Sequence, residues 1–332
     1  MTFLLDLDFE EIRSILSLYH LDQLVSHRVL HRQKFETLYR VDTGEQKYFL
    51  RVCTGRAFGH MVFEKDLLKY LAQQGLPVPG VEENVASGAF TPWSVDGRYV
   101  SLYRDVPGRV MGRFEFDENN CFQLGKFLGQ LHSVSDGFSS RSSSKNILAV
   151  ARRAFTTIRN ELSESCSSVQ LSVDAAELES ELEEQECRIL DGVRGLHHGD
   201  IKISSLLFCE RELTMVRGFS ECGHDRYIFD VAKAIYECCW TPDPQARQGP
   251  SGSYDASRIN ALVRGYKSMK NTSLEFWRPL RKDLRLAALI SATRRLQHFE
   301  LAADSATYFE DYRHDMSKLR ALGKLGELRF ET

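Results

Sequence analysis

The sequence predicts an α+β chain in two lobes, a small antiparallel-sheet lobe over residues 1–102 and a mainly helical lobe over 103–332. Three observations carry this prediction. The first hundred residues alternate short apolar runs with turn residues, as stacked hairpins do. From about residue 119 onward, apolar positions recur at helical spacing. A chain of 332 residues with 42% hydrophobic content also has more to bury than one small core holds.

A helix is expected near 9–19, where Ile12, Ile15, Leu16 and Tyr19 share a face. Val29-Leu30 and Phe35–Val41 read as strands around a polar loop, His31-Arg32-Gln33-Lys34. The turn Asp42-Thr43-Gly44-Glu45 leads into a strand over 47–52. A helix over 60–74 presents Phe63, Leu67, Tyr70 and Leu71, and Gly75-Leu76-Pro77-Val78-Pro79 stops it, because Gly caps and Pro cannot continue. Short strands run on to Tyr99–Tyr103, and Pro107-Gly108 breaks the chain again.

In the second lobe, Phe122, Phe127, Leu128 and Leu131 place a helix over 119–132. The serine cluster over 139–144 reads as a mobile loop. The acidic stretch 174–190, with Asp174, Glu177, Glu179, Glu181, Glu183, Glu184 and Glu186, reads as the wet face of a surface helix, not as a metal site. A hairpin of Leu206-Leu207-Phe208 and Leu213–Val216 interrupts the helices, and amphipathic helices then occupy 257–270, 282–300 and 308–322.

Composition excludes several classes of function. A net charge of −3 supplies no basic field for nucleic acid. No apolar run approaches the roughly 18 residues of a membrane span. The early acidic residues are unlike a signal peptide, so a cytoplasmic protein is expected. The 8 cysteines are scattered without C-x-x-C spacing and read as reduced, mostly buried thiols.

The segment that carries chemistry is His197-His198-Gly199-Asp200-Ile201-Lys202-Ile203-Ser204-Ser205-Leu206-Leu207-Phe208. Phosphoryl transfer needs a carboxylate near the acceptor hydroxyl, positive charge on the phosphates and ligands for a divalent cation. His198 and Asp200 have the His-x-Asp spacing of a kinase catalytic loop. A hairpin follows, then Val216-Arg217-Gly218-Phe219-Ser220, and Phe229-Asp230-Val231-Ala232-Lys233-Ala234 opens a helix.

On these residues the chain resembles the aminoglycoside phosphotransferase and choline kinase-like superfamily, and within it the homoserine kinase branch. Four further segments carry the resemblance: residues 75–79, Pro107-Gly108-Arg109, residues 124–132, and Tyr236-Glu237-Cys238-Cys239-Trp240 with Asp243-Pro244. The resemblance implies a protein kinase-like fold and ATP-dependent transfer of the γ-phosphate to an alcohol group of a small acceptor, such as an amino alcohol. By matching, Asp200 would orient the acceptor hydroxyl or take its proton, and His198 would brace the loop. Lys202 would approach the transferred phosphate. Arg51 would hold phosphate where kinases carry a Lys, with Glu64 as its partner. Adenine would meet backbone groups of Ser101-Leu102-Tyr103-Arg104 and the apolar wall of Leu207.

The pattern departs from the family at the Mg²⁺ ligands. Ser205 stands for the Asn that ends the catalytic loop, and Gly218 for the Asp of Asp-Phe-Gly. Ser205 keeps one neutral oxygen, Gly218 offers none, and Glu221 or Asp225, three and seven residues past Gly218, is the substitute to expect, Glu221 being the better candidate. Two readings stay open: a phosphotransferase with a diverged site, or a pseudokinase that binds nucleotide or a protein partner without transferring phosphate. On the 282–300 helix, Arg294 and Arg295 point about 100° apart, so one is expected to meet an anionic acceptor while the other lies at the surface.

Overall fold

The structure is a computed structural model that describes residues 6–21, 23–33, 36–54, 58–84, 91–93, 97–139, 148–149, 151–153, 155–156, 169–187, 192–243, 251–299 and 305–324. Cys166, Pro244, Lys34, Phe35 and residues 140–144 of the serine cluster lie outside that set. The chain divides into two compact units, one of residues 1–110, 137–142 and 205–220, the other of 111–136, 143–204 and 221–332.

The first unit is built on an antiparallel sheet of β1 (Ser26–Gln33), β2 (Glu36–Asp42), β3 (Lys47–Cys53), β4 (Thr91–Trp93) and β5 (Arg98–Arg104), in the order β1-β2-β3-β5-β4. Helix α1 (Phe9–Ser17) starts at a capping box in which Asp8 and Glu11 satisfy each other's backbone N–H groups. Its buried Ile12, Ile15 and Leu16 pack with Tyr39, Val41, Leu50, Val52, Val100 and Leu102. Strand β3 is buried on both faces beyond Lys47: Leu50 and Val52 face α1, while Cys53 packs on Met61 of α2 (Phe58–Gln73). Helix α2 ends as its sequence demands, with Gly75 at φ +77° and the Leu76 N–H donating back to the Leu71 carbonyl. The hairpin of β7 (Leu206–Cys209) and β8 (Glu212–Val216) belongs to this unit, tied by Arg109 and Phe208 through two backbone bonds of 2.8 and 2.9 Å.

One expectation is corrected here. The polar residues His31 to Gln33 continue β1 and do not form a loop. A register shift between Val29 and His31 absorbs the irregularity, so Arg32 pairs with Thr37 and Gln33 with Glu36.

The second unit holds α3 (Glu118–Ser133), α4 (Val169–Glu186), β6 (Arg194–His197), β9 (Gly223–Arg226), α5 (Tyr227–Cys238), β10 (Trp240–Pro242), β11 (Gly252–Tyr254), α6 (Ala256–Met269), α7 (Leu274–Trp277), α8 (Leu280–Phe299) and α9 (Ser305–Lys324). Helices α3 and α6 approach until a Cβ on Gly125 would stand 2.0 Å from the Leu262 carbonyl oxygen, so glycine is required there. Every residue of α5 is buried, which makes it the central helix of the unit. The acidic face of α4 is only partly wet. Asp174 and Glu181 are buried, paired with Arg320 and Arg285, while Glu183, Glu184 and Glu186 stay exposed. Five of the seven described cysteines are buried; Cys187 and Cys209 are exposed. No helix among the described residues is long and apolar enough to cross a membrane.

Candidate active site

In the helical unit, β6 and β9 pair His197 with Gly223 and so bring the loop after β6 beside the segment before β9. Gly199 sits at φ +84°, and a Cβ there would lie 2.3 Å from the Glu221 carbonyl oxygen. Only glycine fits both the backbone conformation and the gap. The loop is held from beneath by Asp230 on α5. Its carboxylate accepts from the backbone N–H of His198 at 2.6 Å and of Gly199 at 2.8 Å. The His132 Nε2 lies 3.3 Å from the same carboxylate, which only accepts and so assigns the Nε2–H tautomer, and Nδ1 accepts from the Tyr266 hydroxyl at 2.8 Å. Burial alone would raise the Asp230 pKa. The His132 hydrogen bond and the field of the neighbouring histidines hold it well below the usual carboxylate range.

His198 is fully buried, and its Nδ1 accepts from the Asp200 N–H at 3.3 Å. The Asp200 carboxylate meets three cations: Lys202 Nζ at 2.6 Å, Lys233 Nζ at 3.5 Å and Arg294 Nη1 at 3.9 Å. Burial opposes its ionisation, yet Lys233, Lys202 and Arg294 together keep it charged far below its ordinary pKa. Lys233 is itself buried, donating to Glu237 at 3.0 Å and to the Ser291 hydroxyl at 2.8 Å. Glu221 pairs with Arg294 at 3.3 Å. Arg295 turns to Asp315 at 2.5 Å, so the two arginines serve two carboxylate clusters and neither is a free surface cation. Sequence reasoning missed the roles of Asp230 and Lys233. Both lie in a motif it singled out, yet their contacts come from tertiary packing.

In the sheet unit, Arg51 is buried between two carboxylates. It donates to Glu64 Oε1 at 2.7 Å and through Nε to Glu36 Oε2 at 2.8 Å, with Nη2 2.7 Å from the same oxygen. Desolvation disfavours the buried guanidinium, and the fields of Glu64 and Glu36 overcome that penalty and raise its pKa well above normal. Glu36 had no sequence signal, because the pairing of Leu38 with Arg51 sets it near the guanidinium. Tyr103 shares the Arg51 face, since it pairs with Phe49, whereas Leu102 pairs with Leu50 and packs towards α1. The Leu102 carbonyl accepts from Glu82 N–H, and the Arg104 N–H donates to the Gly80 carbonyl. Leu207 is buried in β7.

Ser205 and Gly218, the positions expected to stand for metal ligands, lie near each other in this unit, where the Arg217 N–H donates to the Ser205 carbonyl at 2.8 Å. Gly218 is exposed at φ +84°. Arg217 lays its guanidinium 5.2 Å over the Phe49 ring. A hydroxyl and a glycine do not make the carboxylate site that Mg²⁺ requires. Among the described residues no group of three His, Cys, Asp or Glu side chains is arranged to hold a metal ion.

Comparison with known proteins bears on the family and the fold. A profile of the phosphotransferase enzyme family matches residues 28–270. The chain is 25% identical over 267 residues to a homoserine kinase of Xanthobacter autotrophicus, covering 79% of this chain and 77% of the relative. It is 22% identical over 307 residues to a homoserine kinase of Polaromonas naphthalenivorans, covering 91% of each. Among solved structures, an amicoumacin kinase in complex with AMP-PNP and Ca²⁺ aligns over 98% of each chain with a TM-score of 0.66 at 16% identity. A spectinomycin phosphotransferase aligns over 96% of this chain and 99% of its own with a TM-score of 0.62 at 13% identity. These likenesses show a kinase-like fold, with an antiparallel sheet in its N-terminal part and helices in its C-terminal part.

Proposed function

The chain belongs to the phosphotransferase enzyme family, and we propose that it is an ATP-dependent kinase of a small alcohol, with Asp200 at the acceptor hydroxyl. The observation that carries the reading is the ionised Asp200 on a loop braced by Asp230 and flanked by Lys202, Lys233 and Arg294. With its pKa so far depressed, Asp200 is a weak base. Its work is to orient the hydroxyl. The oxygen attacks the γ-phosphorus, the bond to the β-phosphate oxygen breaks, and the proton leaves late, to Asp200 or water. Lys202 supplies charge to the transferred group.

Ser205 and Gly218 do not fit a Mg²⁺ site of the family's kind. The second reading, a pseudokinase acting as a binding module, is favoured by that pair of residues and by the engagement of Arg51 with two carboxylates. Calorimetry with ATP, with and without Mg²⁺, tests nucleotide binding, and phosphate transfer to a small alcohol separates the two readings. The kinase reading expects binding by the wild type and metal-enhanced binding by the Gly218→Asp, Ser205→Asn double variant. Absence of binding in both proteins leaves only the scaffold.

A further inference from the structure

Helix α5 grips the loop of Asp200 at two points. Asp230, in its first turn, accepts from the backbone N–H groups of His198 and Gly199. Lys233 stands three residues on, on the same side of the helix, and its Nζ lies 3.5 Å from Asp200 Oδ1. One helix face thus holds the main chain of the loop with a carboxylate and its acidic side chain with an ammonium. The Lys233 side chain is 4% exposed. A lysine so far from water keeps its charge only where partners surround it.

Those partners are in place. Lys233 donates to Glu237 Oε1, one turn further along α5, at 3.0 Å and to the Ser291 hydroxyl on α8 at 2.8 Å. An ammonium has a third donor, and Asp200 Oδ1 lies within ion-pair reach of it. Burial opposes the charge on Lys233. The fields of Glu237 and Asp200 overcome that penalty and raise its pKa, with Arg294 working against them. The two oxygens of Asp200 therefore have unlike surroundings. Oδ1 is buried, accepts no hydrogen bond among the described residues and faces Lys233. Oδ2 faces Lys202 at 2.6 Å and Arg294 at 3.9 Å, both of them partly exposed.

We infer that Lys233 is the positioning residue of Asp200: it holds Oδ1 from the helix side, fixes the plane of the carboxylate and leaves Oδ2 as the oxygen that meets the acceptor hydroxyl. The inference rests on the kinase reading for the acceptor. Lys202, on a half-exposed side chain, is free to turn from Oδ2 towards the transferred phosphate. Lys233, anchored on Glu237 and Ser291, stays where it is. It touches no reacting atom and acts through Asp200 alone.

The test joins steady-state kinetics of the full chain, with ATP, Mg²⁺ and the small alcohol it phosphorylates best, to nitrogen-15 NMR of the Lys233 ammonium. Lys233→Met should lower kcat by about tenfold or more, because a misplaced carboxylate no longer aligns the hydroxyl. The KM for ATP should stay within about twofold. The acid limb of kcat/KM should move up by about half a pH unit or more, since Asp200 keeps only Lys202 and Arg294. Lys233→Met leaves Glu237 buried without its cation, so the Lys233→Met, Glu237→Gln double variant serves if the single variant does not fold, with the same expected loss. Ser291→Ala keeps the ammonium and removes one anchor; it should lower kcat less and leave the acid limb in place. The ammonium resonance, identified by its loss in Lys233→Met, should shift in Asp200→Asn. A kcat near that of the wild type in both Lys233 variants, an unmoved acid limb, or an ammonium resonance indifferent to Asp200→Asn overturns the inference and leaves the kinase reading standing. Transfer of phosphate to no acceptor contradicts the kinase reading, and the ammonium shift then still decides whether Lys233 holds Asp200.

Discussion

Arg51 and Glu237 show how a buried charge is set by its partners. Arg51, at the strand position expected to hold phosphate, gives two of its donors to Glu36 and Glu64. Glu36→Gln should therefore release part of the fork and tighten ADP binding by about threefold to tenfold, of the order of one charge-assisted hydrogen bond. Unchanged affinity, read by calorimetry, would make Arg51 a purely structural clamp. Glu237 makes a pH prediction. Burial pushes its carboxyl up, but Lys233, Lys318 and Lys202 overcome this and hold it at about 2, below the ordinary 4.5. A depressed folded-state pKa gives stability that is present above 4.5 and lost as pH falls towards 2. That loss is worth about 3 kcal/mol. In denaturant titrations Glu237→Gln should flatten this part of the acid limb; an unaltered slope would contradict the assigned charge network.

Elements with a strong internal period are legible in the sequence itself. The helices expected over 119–132, 257–270 and 282–300 are observed as Glu118–Ser133, Ala256–Met269 and Leu280–Phe299. The strands Arg194–His197 and Gly223–Arg226 are not legible there, because four residues without alternation carry no strand signal and exist only through their mutual pairing. The same limit hides the roles of Asp230 and Lys233, since the side chains that α5 presents to the catalytic-type loop depend on how β6 and β9 feed into it. Gly125 reads as part of a helix, with no sign in the residues around it that Leu262 lies against it. Gly125→Ala should cost about 1–3 kcal/mol by forcing α3 from α6. A thermal shift below one degree would contradict so tight a crossing.

Over the whole chain, the family is legible from an ordered set of short motifs, each weak alone, and the match over 28–270 agrees with it. The departure at Ser205 and Gly218 is also visible in the residues, and its consequence for chemistry is the central question. Phosphorus NMR of ATP with the wild-type chain, a panel of small hydroxy acids and amino alcohols, and Mg²⁺ answers it most directly. The account predicts ADP together with a new phosphomonoester resonance that depends on the acceptor and is lost in Asp200→Asn. ATP left intact with every acceptor, or a phosphomonoester formed equally well by Asp200→Asn, would contradict it.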